Sequence, residues 1–297
     1  MFLIIHNPLS NNKKSKKTTN KMVKFFKRRQ IPFILRSTLK FDNLREYLDN
    51  NPAITDILYL GGDGSINYLI NNVDVTKVKQ NIYLAKSGSG NDFLRSLKQR
   101  GRAKVAIAEA VTDVGNVKFI NGCGAGIDAA VSYYVNNDKK KNKMAYFKNL
   151  FKATVKFEPA EMEVTIDGVT AKYKDCFFTV VQNGKYFGGG MKVAPKGDIE
   201  SASYSICIVH DMNKLLLQLL FISIYPGLHT KLTKWVTMFT GKDVQVKSSK
   251  PRYFQTDGEV LENVNEYRVR LAYFREFIAF DKRKIRAMFT KKKTDDH

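Results

Sequence analysis

The residues best suited to chemistry stand in three short turns, each set between an apolar run and a stretch with helical spacing. Leu58-Tyr59-Leu60 leads into Gly61-Gly62-Asp63-Gly64-Ser65, and Ile66-Asn67-Tyr68-Leu69-Ile70 then reads as a helix. Glycine in such a turn lets backbone N–H groups approach an anion without Cβ obstruction, and the helix N-terminus behind it adds partial positive charge. That chemistry suits a polyphosphate. A carboxylate in the same turn would repel phosphates by a few kcal/mol at an effective dielectric of about 20. Asp63 is therefore expected to act through a bridging cation, magnesium being the natural choice. The competing reading is a strand-to-helix turn with Asp63 as an N-cap.

The second turn is Lys86-Ser87-Gly88-Ser89-Gly90-Asn91-Asp92-Phe93. Ser89 offers a hydroxyl to a phosphate or ribose oxygen, and Asn91 and Asp92 either cap a helix or orient a nucleotide. The third, Asn7-Pro8-Leu9-Ser10-Asn11-Asn12, leaves the first apolar run and enters a basic helix. Each alone is an ordinary capped helix start. Three of them at neighbouring strand ends would line one crevice, which is where open α/β sheets bind ligands.

The elements that must hold these turns follow from hydrophobic rhythm. Strands are expected at 2–6, 32–36, 56–60 and 81–85 with helices between them, a pattern that means a parallel, doubly wound sheet. Met22, Phe25 and Phe26, then Leu44, Tyr47 and Leu48, then Ile66, Leu69 and Ile70 mark the core faces of three helices. After residue 125 the pattern becomes mainly antiparallel. Met162 to Ile166 alternates strictly, Asp167-Gly168 is a hairpin turn, and Phe177 to Gln182 begins another strand. Helices are expected near 143–157 and 214–225, strands at 252–256 and 266–280. The fold class is thus α/β plus mainly β. A doubly wound nucleotide-binding domain is expected over 1–125 and an antiparallel, sandwich-like domain over 126–280, with the basic helical tail at 281–297 packing back onto the first.

In these residues the chain resembles the diacylglycerol kinase catalytic family, which includes bacterial soluble lipid kinases and, more distantly, sphingosine and ceramide kinases. The likeness covers nearly the whole sequence. The family's Asn-Pro loop, Gly-Gly-Asp-Gly-Thr turn and Gly-Thr-Gly-Asn-Asp-Phe turn are matched at Asn7-Pro8, 61–65 and 88–93, with Ser65 and Ser89 keeping the hydroxyl of the threonines they replace. Asn121 to Ala129 resembles the crossing into the family's second domain. Asn183, Gly188-Gly189-Gly190 and Pro195 resemble a later stretch, and Thr256-Asp257-Gly258-Glu259 matches the Asp-Gly-Glu turn. The resemblance implies an ATP-dependent lipid kinase, diacylglycerol being the leading substrate, with Glu259 as general base and Asp63 as the second catalytic residue and magnesium ligand. Together, turns and resemblance place the nucleotide at Asn7, Pro8, Leu9, Ser10 and Asn11, at Ser37 or Thr38, at Gly61, Gly62, Asp63, Gly64, Ser65, Ile66 and Asn67, and at Gly88, Ser89, Asn91 and Asp92. The sequence departs from the family at Asn11, where glycine is usual, at Lys86, where proline is common, and at Glu200-Ser201-Ala202. There an Asp-Asp-Gly-like turn would help hold a structural magnesium; either Asp198 or Glu200 compensates or that site is lost.

Composition narrows the setting. Fifty basic against 28 acidic residues in 297 give a formal charge of +22, which favours anionic partners. Cys123, Cys176 and Cys207 are too few and too widely spaced for a disulfide framework or a zinc site. The apolar N-terminus is expected as a buried strand, and the run Leu215 to Tyr225, about 11 residues where crossing a bilayer takes about 20, as a core helix. Lysines and arginines cluster at 13–17, 24–29, 139–143 and 282–293. Each near an anionic leaflet contributes about 1 kcal/mol, so the expected setting is cytoplasmic with reversible membrane association. The expected partner is a lipid alcohol at that surface; a homodimer is compatible with the sequence and no nucleic acid is expected. Three rivals stand beside this reading. A nicotinamide-dinucleotide kinase would share the Gly-Gly-Asp-Gly turn but would leave the 88–93 and 256–259 motifs unexplained. A nucleic-acid binder would account only for the charge. A relative that binds lipid without catalysis is the third.

Overall fold

The apolar runs that alternate with helical stretches in the first third of the chain pair side by side in the structure, a computed structural model. It describes residues 1–8, 12–38, 43–87, 91–138 and 143–295, the side chains of 12–14, 143–148 and 291–295 excepted. Two compact units emerge: residues 1–105 with 274–297, and residues 106–273.

In the first unit, β1 (Phe2–His6), β2 (Phe33–Ser37), β3 (Asp56–Gly61) and β4 (Asn81–Lys86) lie within about one residue of the expected strands. They pair parallel in the order β2-β1-β3-β4, with His6 opposite both Ser37 and Leu60, and Gly61 opposite Lys86. Because every strand points the same way, the turns after all four emerge at one edge. The helices between them are α1 (Asn12–Arg28), α2 (Leu44–Asp49), α3 (Asp63–Asn72) and α4 (Asp92–Arg100). Phe2, Ile4, Leu58, Leu60 and Tyr83 point to one face of the sheet, where Met22 and Phe26 of α1 meet them. Ile5 and Tyr59 point the other way, beside α2 and α3. Helices on both faces explain why the strands are apolar throughout instead of alternating. The tail forms α8 (Lys282–Asp295), whose Ile285 is buried in the same core as Phe2 and Phe26.

The second unit is built from β5 (Arg102–Thr112), β6 (Gly115–Phe119), β7 (Gly122–Gly126), β8 (Ala160–Ile166), β9 (Val169–Gln182), β10 (Tyr204–His210), β11 (Val236–Gly241), β12 (Val244–Thr256) and β13 (Glu259–Ala279), the first residues of β5 and last of β13 belonging to the first unit. Antiparallel pairing dominates. The long β9 and β12 each pair with β7 over one half and with β8 over the other, which curls the sheet onto itself around Cys123, Met162, Val181, Tyr204, Val246 and Phe254. The outer face of β9 and β10 is covered by α5 (Ile127–Asn137), α6 (Lys143–Lys156) and α7 (Lys214–Ile224). Asp167-Gly168 is the expected hairpin turn, with φ of 48° and 87° between β8 and β9. The fold class is as the sequence implies: an α/β first part and a sandwich-like β second part.

Several elements lie outside the expected pattern. The first unit ends at Val105, upstream of the boundary expected at 125, because β6 and β7 hydrogen-bond within the second unit. β10 is buried on both faces and shows no alternation to read. β12 begins at Val244, hidden by its polar middle, where Pro251 lies in a break of register between Lys247 and Arg252. Helix α7 buries only Leu217, Leu220, Phe221 and Ile224, so the core helix expected there is half exposed. Among the described residues no helix is long and apolar enough to cross a membrane.

All three cysteines are free and buried, and burial pushes the Cys207 thiol up to about 12 and the other two upward as well. A thiol held protonated and enclosed is a poor nucleophile. Native protein is expected to leave all three unmodified by a disulfide reagent, while denaturant exposes three equivalents; fast modification of the native state would contradict the packing.

Candidate active site

At the carboxyl edge of the parallel sheet the turns are bound to one another by side chains from within them. Gly62 is the N-cap of α3, and the first helical residue, Asp63, turns its carboxylate away from its own helix. One oxygen accepts the amide of Asp92 at 2.8 Å and the other accepts that of Phe93 at 3.2 Å. These are the amides of the first turn of α4, which no intrahelical carbonyl can satisfy. Asp63 thus caps a neighbouring helix and ties the start of α4 to the turn after β3. The backbone adds a further link, since the Ser87 amide donates to Gly61 O at 3.0 Å. On the other side, buried Ser15 of α1 donates to Asn7 O at 3.2 Å and lies 3.2 Å from the Ser87 hydroxyl. The Asn7 loop is thereby tied to the same edge.

The first turn tolerates no side chain where it passes closest to its helix. A Cβ on Gly61 would lie 2.5 Å from the Ser65 Cβ. Tyr59 reaches from β3 to donate to Ser65 O at 2.9 Å, and burial pushes its phenol well above the usual range, so it stays a donor. Ser65, Ile66 and Asn67 are buried in the first turn of α3, and Asp92 is buried with Arg95 3.8 Å away. On the α2–α3 side of the sheet a cavity of about 450 Å³ is lined by Ile5, Thr38, Leu44, Tyr59, Leu69 and Asp74, among others, and by no residue of the glycine turns. Thr38, half-buried next to Ser37 at the end of β2, therefore opens onto a space of ligand size.

The second unit positions Glu259 by a separate hydrogen-bond network. Asp257 and Gly258, at φ of 50° and 95°, form the tight turn between β12 and β13. The Asp257 carboxylate accepts the amides of Ile120, Asn121 and Gly122 at 2.8, 2.9 and 3.2 Å. Asn136 of α5 donates to Gly258 O at 2.9 Å, and the Gly258 amide donates to the Gln255 side chain at 3.0 Å. Gln255 in turn donates to Asp128 at 3.3 Å. Burial raises the Asp128 carboxyl to about 6, the Gln255 bond pulling the other way. At the end of this chain Glu259 is exposed, on a turn with little freedom to move. Asn136 and Gln255 escape sequence reasoning, because nothing in their local spacing marks them. Asp128 and Asp257 carry a signal, Asp128 following Gly126, where β9 approaches closely, and Asp257 preceding Gly258, whose φ of 95° suits glycine.

The described residues bring Asn7, Pro8, Ser37, Gly61 to Asn67, Asn91 and Asp92 together at one edge of the first unit. Leu9, Ser10, Asn11, Gly88 and Ser89 lie outside the described residues, as do the basic positions 139–142. Glu259 belongs to the second unit. Among the described residues no group of three or more His, Cys, Asp or Glu could hold a metal by itself. Near the expected structural metal turn, Asp198 accepts the Glu200 amide at 3.1 Å.

Comparison with known proteins agrees with this architecture. The family profile described as diacylglycerol kinase catalytic domain matches residues 1–119, and that described as YegS C-terminal NAD kinase beta sandwich-like domain matches residues 121–270. A Bacillus subtilis protein named "Putative lipid kinase YtlR" is 26% identical over 234 residues, 69% of this chain and 74% of its own. A Mycobacterium tuberculosis protein named diacylglycerol kinase is 23% identical over 207 residues, 64% of this chain and 66% of its own. The crystal structure of a diacylglycerol kinase from Bacillus anthracis has the same fold, with a TM-score of 0.66 at 16% identity over 94% of this chain and 96% of that one.

The raised Asp128 carboxyl gives the second unit a pH signature. A folded value of about 6 above the ordinary 3.8 means that the folded state holds this proton more tightly than the unfolded chain. Its contribution to stability is therefore fully present below about pH 4 and is lost as pH rises through 6, a loss on the order of 3 kcal/mol. Asp128→Asn keeps the oxygen that accepts from Gln255 and removes the titration. Melting curves of this variant and the wild type are expected to diverge in the variant's favour between pH 4 and 7. Parallel curves would contradict the assignment.

Proposed function

The chain belongs to the diacylglycerol kinase catalytic-domain family of lipid kinases, and we propose that it transfers the γ-phosphoryl group of ATP to the hydroxyl of a membrane lipid, diacylglycerol foremost. The observation that carries this reading is the Asp63 clamp. It joins the glycine turn before α3 to the start of α4 at the carboxyl edge of a parallel sheet, where the N-terminus of α3, with no side-chain cap from Gly62, supports phosphate binding through backbone amides. The cavity at Thr38 and Tyr59, on the α2–α3 side of the same sheet, is large enough for part of a nucleotide.

Magnesium fits the donor set in one way only. Asp63 and Asp92 are the buried carboxylates of this edge, and each Asp63 oxygen already accepts an amide. Magnesium bound by ATP needs no more than one or two carboxylates beyond phosphate oxygens and water, so the edge suits a metal that arrives with the nucleotide. When bound, that ion offsets the charge of the transferring phosphoryl group.

Glu259 is the proposed general base. Its carboxylate takes the proton of the lipid hydroxyl as that oxygen forms a bond to the γ-phosphorus, the bond to the bridging oxygen breaks, and ADP leaves. The network through Asp257, Gln255 and Asn136 holds the turn that presents it.

The test is transfer of labelled phosphate from ATP with magnesium to a panel of lipid alcohols, with diacylglycerol, a sphingoid base, a polyprenol and the dinucleotide NAD run in parallel. Label in a lipid phosphate supports the reading, and label only in the dinucleotide contradicts it. Glu259→Gln is expected to lower kcat about 100-fold or more with the ATP affinity unchanged. A variant as active as the wild type would remove Glu259 from the chemistry.

A further inference from the structure

Helix α7 reads Lys-Leu-Leu-Leu-Gln-Leu-Leu-Phe-Ile-Ser-Ile, apolar nearly all round, yet only one stripe of it enters the core. Leu215, Leu219 and Ile222, spaced i, i+4 and i+7, face outward at 71%, 58% and 63% exposure. Phe151 and Val155 repeat the pattern at i and i+4 on α6, at 59% and 54%. The two helices share the core that contains Leu150, Ala153, Leu217 and Phe221, and the Lys214 ammonium donates to Val155 O at 2.7 Å. Tyr225 and Leu228 continue the surface beyond α7. Seven of the 14 large apolar side chains exposed among the described residues thus lie on two helices and the turn that follows. Such a concentration marks an interaction surface, since isolated exposed leucines are ordinary but clusters are not.

Charge identifies what covers it. Residues 149–157 and 212–235 contain no aspartate or glutamate, and their five lysines, Lys152, Lys156, Lys214, Lys231 and Lys234, are all exposed. The flanking acids stand at the ends of these segments, Asp211 2.7 Å from His210 and Glu158 3.9 Å from Lys250. A second copy of this chain would bring the same lysines against their symmetry mates with no acid to meet them, because a two-fold interface is self-complementary. An anionic bilayer accepts both halves of the surface. Apolar side chains enter the boundary between headgroups and acyl chains, and lysines above them meet lipid phosphates. Tyr225 and Trp235, which the Lys234 ammonium overlies at 5.3 Å, supply the amphipathic rings favoured at that depth.

We propose that the α6–α7 face of the second unit is the surface that seats this protein on an anionic bilayer, with Leu215, Leu219, Ile222, Phe151 and Val155 as its apolar anchor. The proposal draws its purpose from the lipid-kinase reading, because an enzyme acting on a membrane alcohol must reach its substrate there. The site differs from the basic clusters of the first unit and tail, where Met288 is the one large apolar side chain exposed among the described residues.

The test uses the full chain, extruded vesicles of phosphatidylcholine with and without a phosphatidylglycerol fraction, and the double variant Leu219→Asp with Ile222→Asp. Both side chains are exposed, so the melting temperature should hold. Wild type is expected to sediment with the anionic vesicles and to be released by high salt, and the variant to partition at least tenfold less. The variant should still phosphorylate a short-chain lipid alcohol dispersed as monomers, which separates this proposal from the proposed reaction. Absence of that phosphorylation in the wild type would fault the reaction and leave the sedimentation result standing. Wild type that ignores anionic vesicles, or a variant that sediments equally well, overturns the docking face. A variant that converts a wild-type dimer to monomer without changing vesicle binding overturns it too, in favour of a contact between copies.

Discussion

The carboxylate of Asp63 sits buried at the carboxyl edge of the parallel sheet, its two oxygens 2.8 and 3.2 Å from the amide nitrogens of Asp92 and Phe93. Charge-assisted bonds of this kind contribute about 1.5–3 kcal/mol each, and removing the acceptor leaves a helix N-terminus without partners. The geometry of the edge depends on this interaction. It sets the spacing between the turn after β3 and the start of α4, and the Ser87 and Ser15 contacts link that edge to Asn7 at the end of β1. Parallel pairing brings the turns out on one side, but only cross-links between them make a shaped site.

The second unit uses the same device. Asp257, in the glycine turn between β12 and β13, takes three amides from the segment entering β7, and Glu259 follows two residues later on a backbone that cannot drift. In both places the aspartate of a glycine turn organises protein amides, while the group assigned to chemistry is the neighbour it holds still. Preorganisation of this sort is what phosphoryl transfer demands, because positioning and electrostatics supply most of its acceleration. It also changes how Asp63 is understood. Sequence reasoning makes it a magnesium ligand or an N-cap of its own helix, and the structure adds that its carboxylate caps the next helix.

The turns themselves were legible because glycine, asparagine and aspartate at strand ends are backbone requirements that leave a local mark. The four parallel strands were legible for a similar reason: each is a short apolar run bounded by polar turns. The tail helix was placed by its basic, periodic pattern, and Ile285 is the residue that docks it. What stayed hidden depends on distant partners. β10 has no alternation because both its faces are covered, β12 is interrupted by Pro251, and the contact of Ser15 with Ser87 joins residues 72 positions apart. The half-exposed state of α7 was hidden by its composition, since an all-apolar helix gives no amphipathic signal. Its outward leucines follow only from which side of the helix meets the β9–β10 face.

Amide hydrogen exchange at the start of α4 tests the central claim most directly, comparing wild type with Asp63→Asn, each with and without ATP. If the Asp63 carboxylate holds the two turns together, the Asp92 and Phe93 amides of the wild type exchange slowly. In the variant they exchange at least about tenfold faster, matching the loss of about 1.4 kcal/mol or more, and ATP no longer restores full protection. Unchanged protection of those amides in the variant, with ATP bound as tightly as before, would contradict the account.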